Sequence, residues 1–284
     1  MIFEELKKIV SAKQQEGLSE LYIRNLLKEH VQMYVLNFIS TNEKYNKNFI
    51  FTGGTCLRHI YGLDRLSEDL DFDYISDFDI SIFKEQLQSY FFKHYQYRDI
   101  NVLLKSQGRR VECKFPVLKK LGLAKEHESD FLIVKVELSQ IPTKEFTVAR
   151  TPQNKFGFNF IVMHYDLPSL FAGKLHAIFT RRRLTGRDNR ISIKGRDYYD
   201  LIWFLKKGIR PHLPKLSAQL KKKITPSILE AELDKKIDEI SSKYLSDLES
   251  DLIPFILNHD VVLFFRKNFK EEYLKNRNYL GQNF

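Results

Sequence analysis

A chain of 284 residues with 43% hydrophobic and 29% charged residues is long enough to bury a substantial core, as one large domain or two modest ones. It has no apolar run of membrane-spanning length and no basic-then-apolar leader in Met1-Ile2-Phe3-Glu4-Glu5, so a cytoplasmic protein without a membrane partner is expected. Cys56 and Cys113 stand far apart, which argues against a disulfide framework and a cysteine zinc site, and the net charge of +10 points to a polyanionic partner only where the surplus clusters.

Apolar residues recur at helical spacing from Ile2 to about Ala12 and from Ser19 to about Ser40, with Gly17 between the two segments. The polar stretch from Thr41 to Asn48 reads as a loop feeding a buried strand at Phe49-Ile50-Phe51. That strand runs into Thr52-Gly53-Gly54-Thr55. Two glycines there permit a tight bend or a close approach to a ligand, and Gly53, Gly54 and Thr55 are candidate phosphate contacts.

A second strand is expected in Arg65-Leu66-Ser67-Glu68-Asp69-Leu70-Asp71-Phe72-Asp73. Alternation puts Asp69, Asp71 and Asp73 on one face and Leu70 and Phe72 in the core. A row of carboxylates is unfavourable unless water or a cation neutralises it, and hard oxygen donors on a partly open site suit Mg²⁺ or Mn²⁺ bridging to phosphates. The plainer alternative is an edge strand with a wet acidic face.

Ser76 or Asp77 is expected to cap a helix bearing Ile80, Phe83, Leu87, Tyr90 and Phe91. Strands at Ile100 to Lys105 and Arg110 to Phe115 form a candidate hairpin about Gln107-Gly108, and Phe131 to Leu138 a further strand. Its polar face carries Glu137, a candidate third carboxylate, although Glu112 also lies on a strand face. Phe158 to Tyr165 reads as a last strand, after which Asp166 and Pro168 open a helix. Helical patterning then continues near Leu167 to Thr180, Arg196 to Lys207, Pro226 to Tyr244 and Val261 to Asn276, separated by Gly208, Pro211, Pro214 and Pro254. The expected organisation is a core over 1–165 and a helical lobe over 166–284, with no internal repeat.

Lys174 interrupts an apolar stripe of Leu167, Leu170, Phe171 and Ile178. A charge there needs a partner, either an ion pair or the phosphates of a nucleotide. Read as a phosphate ligand, it predicts that Lys174→Met weakens nucleotide binding while leaving the fold intact or steadier. Asp197 and Asp200 lie three apart at the start of a largely apolar helix, placed for capping, for arginine pairing or for orienting Lys174. Between Phe171 and Arg196 eight basic residues (Lys174, Arg181, Arg182, Arg183, Arg187, Arg190, Lys194, Arg196) face one acid, Asp188, which points to a polyanion.

The combination Gly53-Gly54-Thr55-x-Leu57, Tyr61-Gly62, Arg65-x-Ser67-x-Asp69-Leu70-Asp71-Phe72, Lys174 and Arg196-Asp197-x-x-Asp200-Leu201 resembles the AbiEii/AbiGii toxin-like nucleotidyltransferases, the MenT toxins among them, over about Ser19 to Phe204. The resemblance implies an α+β protein: a nucleotidyltransferase fold of the polymerase-beta type, with a mixed sheet and a helical C-terminal lobe. It implies catalytic roles for Asp69, Asp71, Lys174, Asp197 and Glu137, with metal held by Asp69, Asp71 and Glu137. Nucleotide contacts are implied at Gly53, Gly54, Thr55, Arg65, Ser67 and Lys174. The expected activity is transfer of a nucleoside monophosphate from an NTP to an RNA acceptor, on the resemblance the 3′ end of tRNA, by a toxin with a cognate antitoxin. A small-molecule nucleotidyltransferase and a non-catalytic nucleic-acid-binding protein are the alternatives. Residues beyond Lys207 carry no recognisable counterpart.

Overall fold

The computed structural model of the chain describes residues 2–181, 183–185, 190–278 and 280. Helix α1 (Ile2–Gln15) is followed by α2 (Glu20–Thr41), which starts where the Ser19 side chain accepts a hydrogen bond from the Tyr22 amide. The buried strand β1 (Phe49–Thr52) passes directly into α3 (Gly53–Tyr61), and β2 (Asp69–Tyr74) follows. The cap of α4 (Ile80–Tyr95) is Asp79, whose carboxylate accepts from the Ser81 and Ile82 amides. Neither Ser76 nor Asp77 fills that role, because the Ser76 hydroxyl is taken up by Asn48 Oδ1 at 3.0 Å.

Strands β3 (Asn101–Lys105) and β4 (Arg110–Pro116) form the expected hairpin, closed by a turn in which Ser106, Gln107 and Gly108 all have positive φ. With β5 (Phe131–Gln140), β6 (Val148–Lys155) and β7 (Phe158–Tyr165) they complete a seven-stranded sheet of order β3-β4-β5-β2-β1-β7-β6. The sheet is mixed: β2 pairs parallel to β5 and β1 parallel to β7, whereas β1/β2, β3/β4 and β4/β5 are antiparallel. Strand β6 was not expected. Its polar sequence contains Pro152, which removes a ladder donor, and the edge of the sheet is where such a strand is tolerated. It joins β7 through Phe156-Gly157, with φ of 52° and 80°, the left-handed pair that suits a two-residue hairpin turn.

The chain divides into two compact units, Met1–Ile141 with Val148–His164, and Pro142–Thr147 with Tyr165–Phe284. In the second, the Thr147 amide donates to Ser169 Oγ and the Asp166 amide to the Thr147 carbonyl, fixing the short segment to α5 (Leu167–Thr180). After α5 come β8 (Arg183–Thr185) and β9 (Arg190–Ser192), paired antiparallel. Helices α6 (Gly195–Lys206), α7 (Leu213–Leu220), α8 (Pro226–Lys243), α9 (Leu245–Leu252) and α10 (His259–Asn276) follow. The eight-residue helices α7 and α9 were not expected from so short a pattern, and Pro214, expected between helices, sits in the first turn of α7. Among the described residues no helix is long and apolar enough to cross a membrane. Of the arginine cluster, Arg182 and Arg187 lie outside the described residues.

Candidate active site

The first unit gathers the Gly-Gly turn and the acidic strand into one place. Gly53 has φ +76°, and a Cβ there would stand 2.0 Å from Asp71 Oδ2. Glycine is therefore required twice over, for the left-handed backbone and for the approach of the carboxylate. At Gly54 a Cβ would lie 2.7 Å from Arg65 Nη2 and 3.1 Å from Ser67 Oγ. The two glycines let Asp71, Arg65 and Ser67 lie against the first turn of α3.

Behind that turn the polar groups are internally satisfied. The Thr55 hydroxyl, fully buried, hydrogen-bonds the Ser67 hydroxyl at 2.8 Å and the Asp69 carbonyl. It ties α3 to β2 rather than standing free for a phosphate. Arg65 is 2% exposed and its Nη1 donates to the Leu66 carbonyl at 2.9 Å, so the guanidinium also acts first as framework. Sequence reasoning missed Gln32. This side chain on α2 is fully buried and its amide donates to the Glu68 and Ser67 carbonyls at 2.8 and 3.2 Å, holding the segment that enters β2. A glutamine inside an apolar helical stripe was the available signal.

On β2 the alternation holds: Leu70 and Phe72 are buried, and Asp69, Asp71 and Asp73 are partly exposed. Strand register extends the polar face. Asp71 pairs with Glu137 and Asp69 with Lys135 on β5, and Glu137 pairs in turn with Arg110 on β4. Register partners project on the same face, so Asp71 and Glu137 are adjacent like charges, a destabilising arrangement unless compensated. Part of the compensation is visible: Arg110 Nε donates to Glu137 Oε1 at 2.5 Å, and Lys135 Nζ lies 3.8 Å from Asp69 Oδ1. Glu112 is one strand further away, in register with Lys135 and 3.6 Å from Lys114 Nζ. Glu137 is thus the carboxylate beside Asp71.

Among the described residues no group of three or more His, Cys, Asp or Glu side chains is drawn together as a metal cage. The donors at hand are the carboxylates of Asp69 and Asp71 on one partly exposed strand face. They fit a cation that takes one or two carboxylates and completes its shell with water and substrate phosphates. Both cysteines are buried and unpaired. Burial, with a smaller contribution from the Asp71 charge, pushes the Cys56 thiol well above its ordinary value, so it is a packed, unreactive group.

The second unit holds the other expected residues. Lys174 Nζ lies 2.7 Å from Asp200 Oδ2 and 3.2 Å from Asp197 Oδ1, and Arg181 takes the second Asp197 oxygen. The lysine side chain is 13% exposed, those of Asp197 and Asp200 4% and 0%. Of the two partners expected for Lys174 the structure shows the ion pair, with both α6 aspartates, so the expectation that Lys174→Met leaves the fold intact or steadier is corrected: the lysine is neutralised within the unit. Burial alone would raise the Asp197 carboxyl, but Lys174, Arg181 and Lys194 outweigh it and hold the pKa below its ordinary value. Lys194, at the cap of α6, is pushed down to about 8 by burial and by Arg196 and the other cations, against the pull of Asp197.

Close packing fixes this cluster. Phe171 on α5 and Phe204 on α6 stack at 4.4 Å with their planes 6° apart. A Cβ on Gly195 would stand 2.5 Å from the Leu248 carbonyl oxygen, so only glycine lets α6 begin against α9. The Arg196 amide donates to Asp251 Oδ2 at 3.1 Å while its guanidinium lies 3.9 Å over the Phe255 ring.

These two clusters hold the polar and glycine residues expected of the site, and residues 38–272 match the family described as the nucleotidyl transferase AbiEii toxin of type IV toxin–antitoxin systems. The chain belongs to the AbiEii family. It is a nucleotidyltransferase, of a family whose toxins use an NTP and are paired with an antitoxin. The AbiEii match runs past Lys207, so α7 to α10, for which the sequence offered no counterpart, fall largely within the family's span.

Solved structures agree on the fold. The nucleotidyltransferase toxin MenT4 from Mycobacterium tuberculosis superposes with a TM-score of 0.56 at 15% identity, over 97% of this chain and 92% of that one. JHP933 from Helicobacter pylori gives a TM-score of 0.52 at 17% identity, over 93% and 94% of the two chains. Comparison with curated proteins gave no match.

Proposed function

We propose that this AbiEii protein transfers a nucleoside monophosphate from an NTP to a hydroxyl of an RNA acceptor in the cytoplasm, releasing pyrophosphate, and that it requires Mg²⁺ or Mn²⁺. The observation that carries the reading is the packing of Gly53 against Asp71, with Asp69 on the same strand face and Glu137 in register beside it. Asp69 and Asp71 would hold the cation, which supplies charge neutralisation on the triphosphate during in-line displacement. Gly53 and Gly54 bring Asp71, Arg65 and Ser67 against the start of α3, where backbone amides without intrahelical partners favour an anion. Ser67, itself held by Thr55, stands beside that turn. Glu137, its charge shared with Arg110, accepts or directs the proton of the acceptor hydroxyl.

We assign Lys174 and Asp197 to the same reaction on the family resemblance, and the cluster they form with Asp200 and Arg181 supports a role in keeping one another charged and oriented. RNA as the acceptor rests on the basic run from Arg181 to Arg190, and tRNA within that class on the resemblance.

Incubating the full chain with α-labelled NTPs, total cellular RNA and Mg²⁺ tests the proposal. Label on RNA that disappears with EDTA supports it. Label appearing only on added small molecules would replace the acceptor, and label insensitive to chelation would remove the metal. Replacing Arg182, Arg183 and Arg187 with alanine should weaken RNA labelling and flatten its salt dependence without changing NTP binding. Arg181 is left out of that variant because it also holds Asp197.

A further inference from the structure

The polar face of the first unit's sheet carries a charge gradient whose basic end the proposed reaction does not use. Register places Lys105 opposite Arg110, Arg110 opposite Glu137, and Glu137 opposite Asp71. Register partners share a face and neighbouring strands are about 4.8 Å apart, so these four residues form one line across β3, β4, β5 and β2, roughly 14 Å from end to end. The charges along it are segregated, with two acids on the inner strands and two bases toward the edge strand β3. Exposed Arg109 stands beside Arg110 at the mouth of the hairpin.

The neighbouring line behaves differently. Asp69, Lys135, Glu112 and Leu103 are in register, and there the signs alternate, with Lys135 already 3.8 Å from Asp69. In the first line Lys105 and Arg110 are like charges directly opposite, which costs stability in a hairpin. Arg110 is relieved by Glu137. Among the described residues no carboxylate lies within ion-pair distance of exposed Lys105. A pair of bases held together at that cost, beside a carboxylate pair assigned to the chemistry, fits an anion that arrives from outside.

We propose that Lys105 and Arg110, with Arg109, form a phosphate track for the acceptor strand, guiding its backbone across β3 and β4 so that the acceptor hydroxyl reaches Asp71 and Glu137. This rests on the reading of RNA as acceptor. Its contacts are to phosphate, so the track positions the strand without reading its bases. It belongs to the first unit, whereas the Arg181 to Arg190 run belongs to the second.

The test is steady-state RNA labelling by the full chain at several salt concentrations, comparing wild type with Lys105→Glu, Arg109→Glu and Lys105→Arg. Lys105 and Arg109 are exposed, and circular dichroism verifies that the variants fold. The charge reversals should raise KM for RNA on the order of tenfold and flatten its logarithmic salt slope by about one per lost phosphate contact. Turnover at saturating RNA and KM for NTP should stay at wild-type values, and Lys105→Arg should behave as wild type. Unchanged KM and salt slope in both reversals would overturn the track, and so would a fall in turnover alone, which would mean that these residues act through Glu137. If the wild-type chain labels no RNA, the acceptor assignment itself fails and the track with it, an outcome distinct from labelling that is indifferent to the reversals.

Discussion

Two pairs of aspartates stand out in this sequence, and the fold treats them in opposite ways. Asp69 and Asp71 alternate on a strand with partly exposed side chains, and Lys135 lies 3.8 Å from Asp69. Asp197 and Asp200 lie on one face of a helix, buried and closed by Lys174 and Arg181. A carboxylate in partial contact with water can exchange its partner for a cation at modest cost. A buried carboxylate cannot lose its partner without leaving an uncompensated charge in low dielectric. On that contrast the strand pair is the one we propose for chemistry with an exchangeable ligand, and the helix pair is the one whose loss should act first on folding.

The largest stability effect expected from that contrast is at Lys174. With Asp200 and Asp197 buried on either side of its ammonium, Lys174→Met should destabilise the protein by about 3–5 kcal/mol, measured as a shift in urea midpoint. A variant as stable as wild type would break the comparison, because the helix pair would then be as tolerant as the strand pair.

A smaller loss is expected at Gly53. Gly53→Ala introduces a left-handed alanine, costing roughly 1–2 kcal/mol, and drives a methyl group onto Asp71 Oδ2. Nucleotidyl transfer should fall far more than the modest loss of stability explains. Activity at the wild-type level would mean that the close approach of α3 to Asp71 is incidental.

Acid sharpens the comparison further, through smaller effects. Burial, aided by Lys155 and Arg58, depresses buried His59 on α3 from 6.5 to about 3. A depressed pKa contributes stability that is present above the unfolded value and is lost as pH falls through the folded one, so this contribution should drain away from pH 6.5 toward about 3. The Asp197 carboxyl, held below its ordinary 3.8, loses its contribution only as pH falls below that value. Denaturation across a pH series should show the first unit weakening before the second. His59→Gln should flatten the slope between pH 6.5 and 3, and an unaltered slope would assign the acid sensitivity elsewhere.

The parts of this molecule that were legible in its sequence are those where one periodicity or one residue type decides the outcome. The β2 alternation, the hairpin about Gln107-Gly108 and the helix opened by Asp166 and Pro168 are of this kind. Strand β6 was not legible because an edge strand with Pro152 has no apolar alternation to show. Helices α7 and α9 are too short to display a period. In the site, sequence could place Asp71, Glu137 and Lys174 on faces and offer the α6 aspartates as partners for Lys174, but not the partners the other two meet. That Arg110 takes Glu137 and that the Thr55 hydroxyl turns inward to Ser67 are matters of register and packing between segments distant in the chain. Gln32 belongs to the same class: its burial was foreseeable, but not the carbonyls it holds.

The central claim is that Asp69 and Asp71 are exchangeable cation ligands in nucleotidyl transfer, and the most direct measurement is transfer from α-labelled NTP by folded Asp71→Asn protein over a range of Mg²⁺ and Mn²⁺ concentrations. Asn keeps the shape beside Gly53, so the protein should stay folded, while transfer should fall by about a hundredfold or more at every metal concentration. Asp73→Asn, further along the same face, should retain most of its activity. A folded Asp71→Asn enzyme that transfers label at the wild-type rate with the wild-type metal dependence would contradict the account.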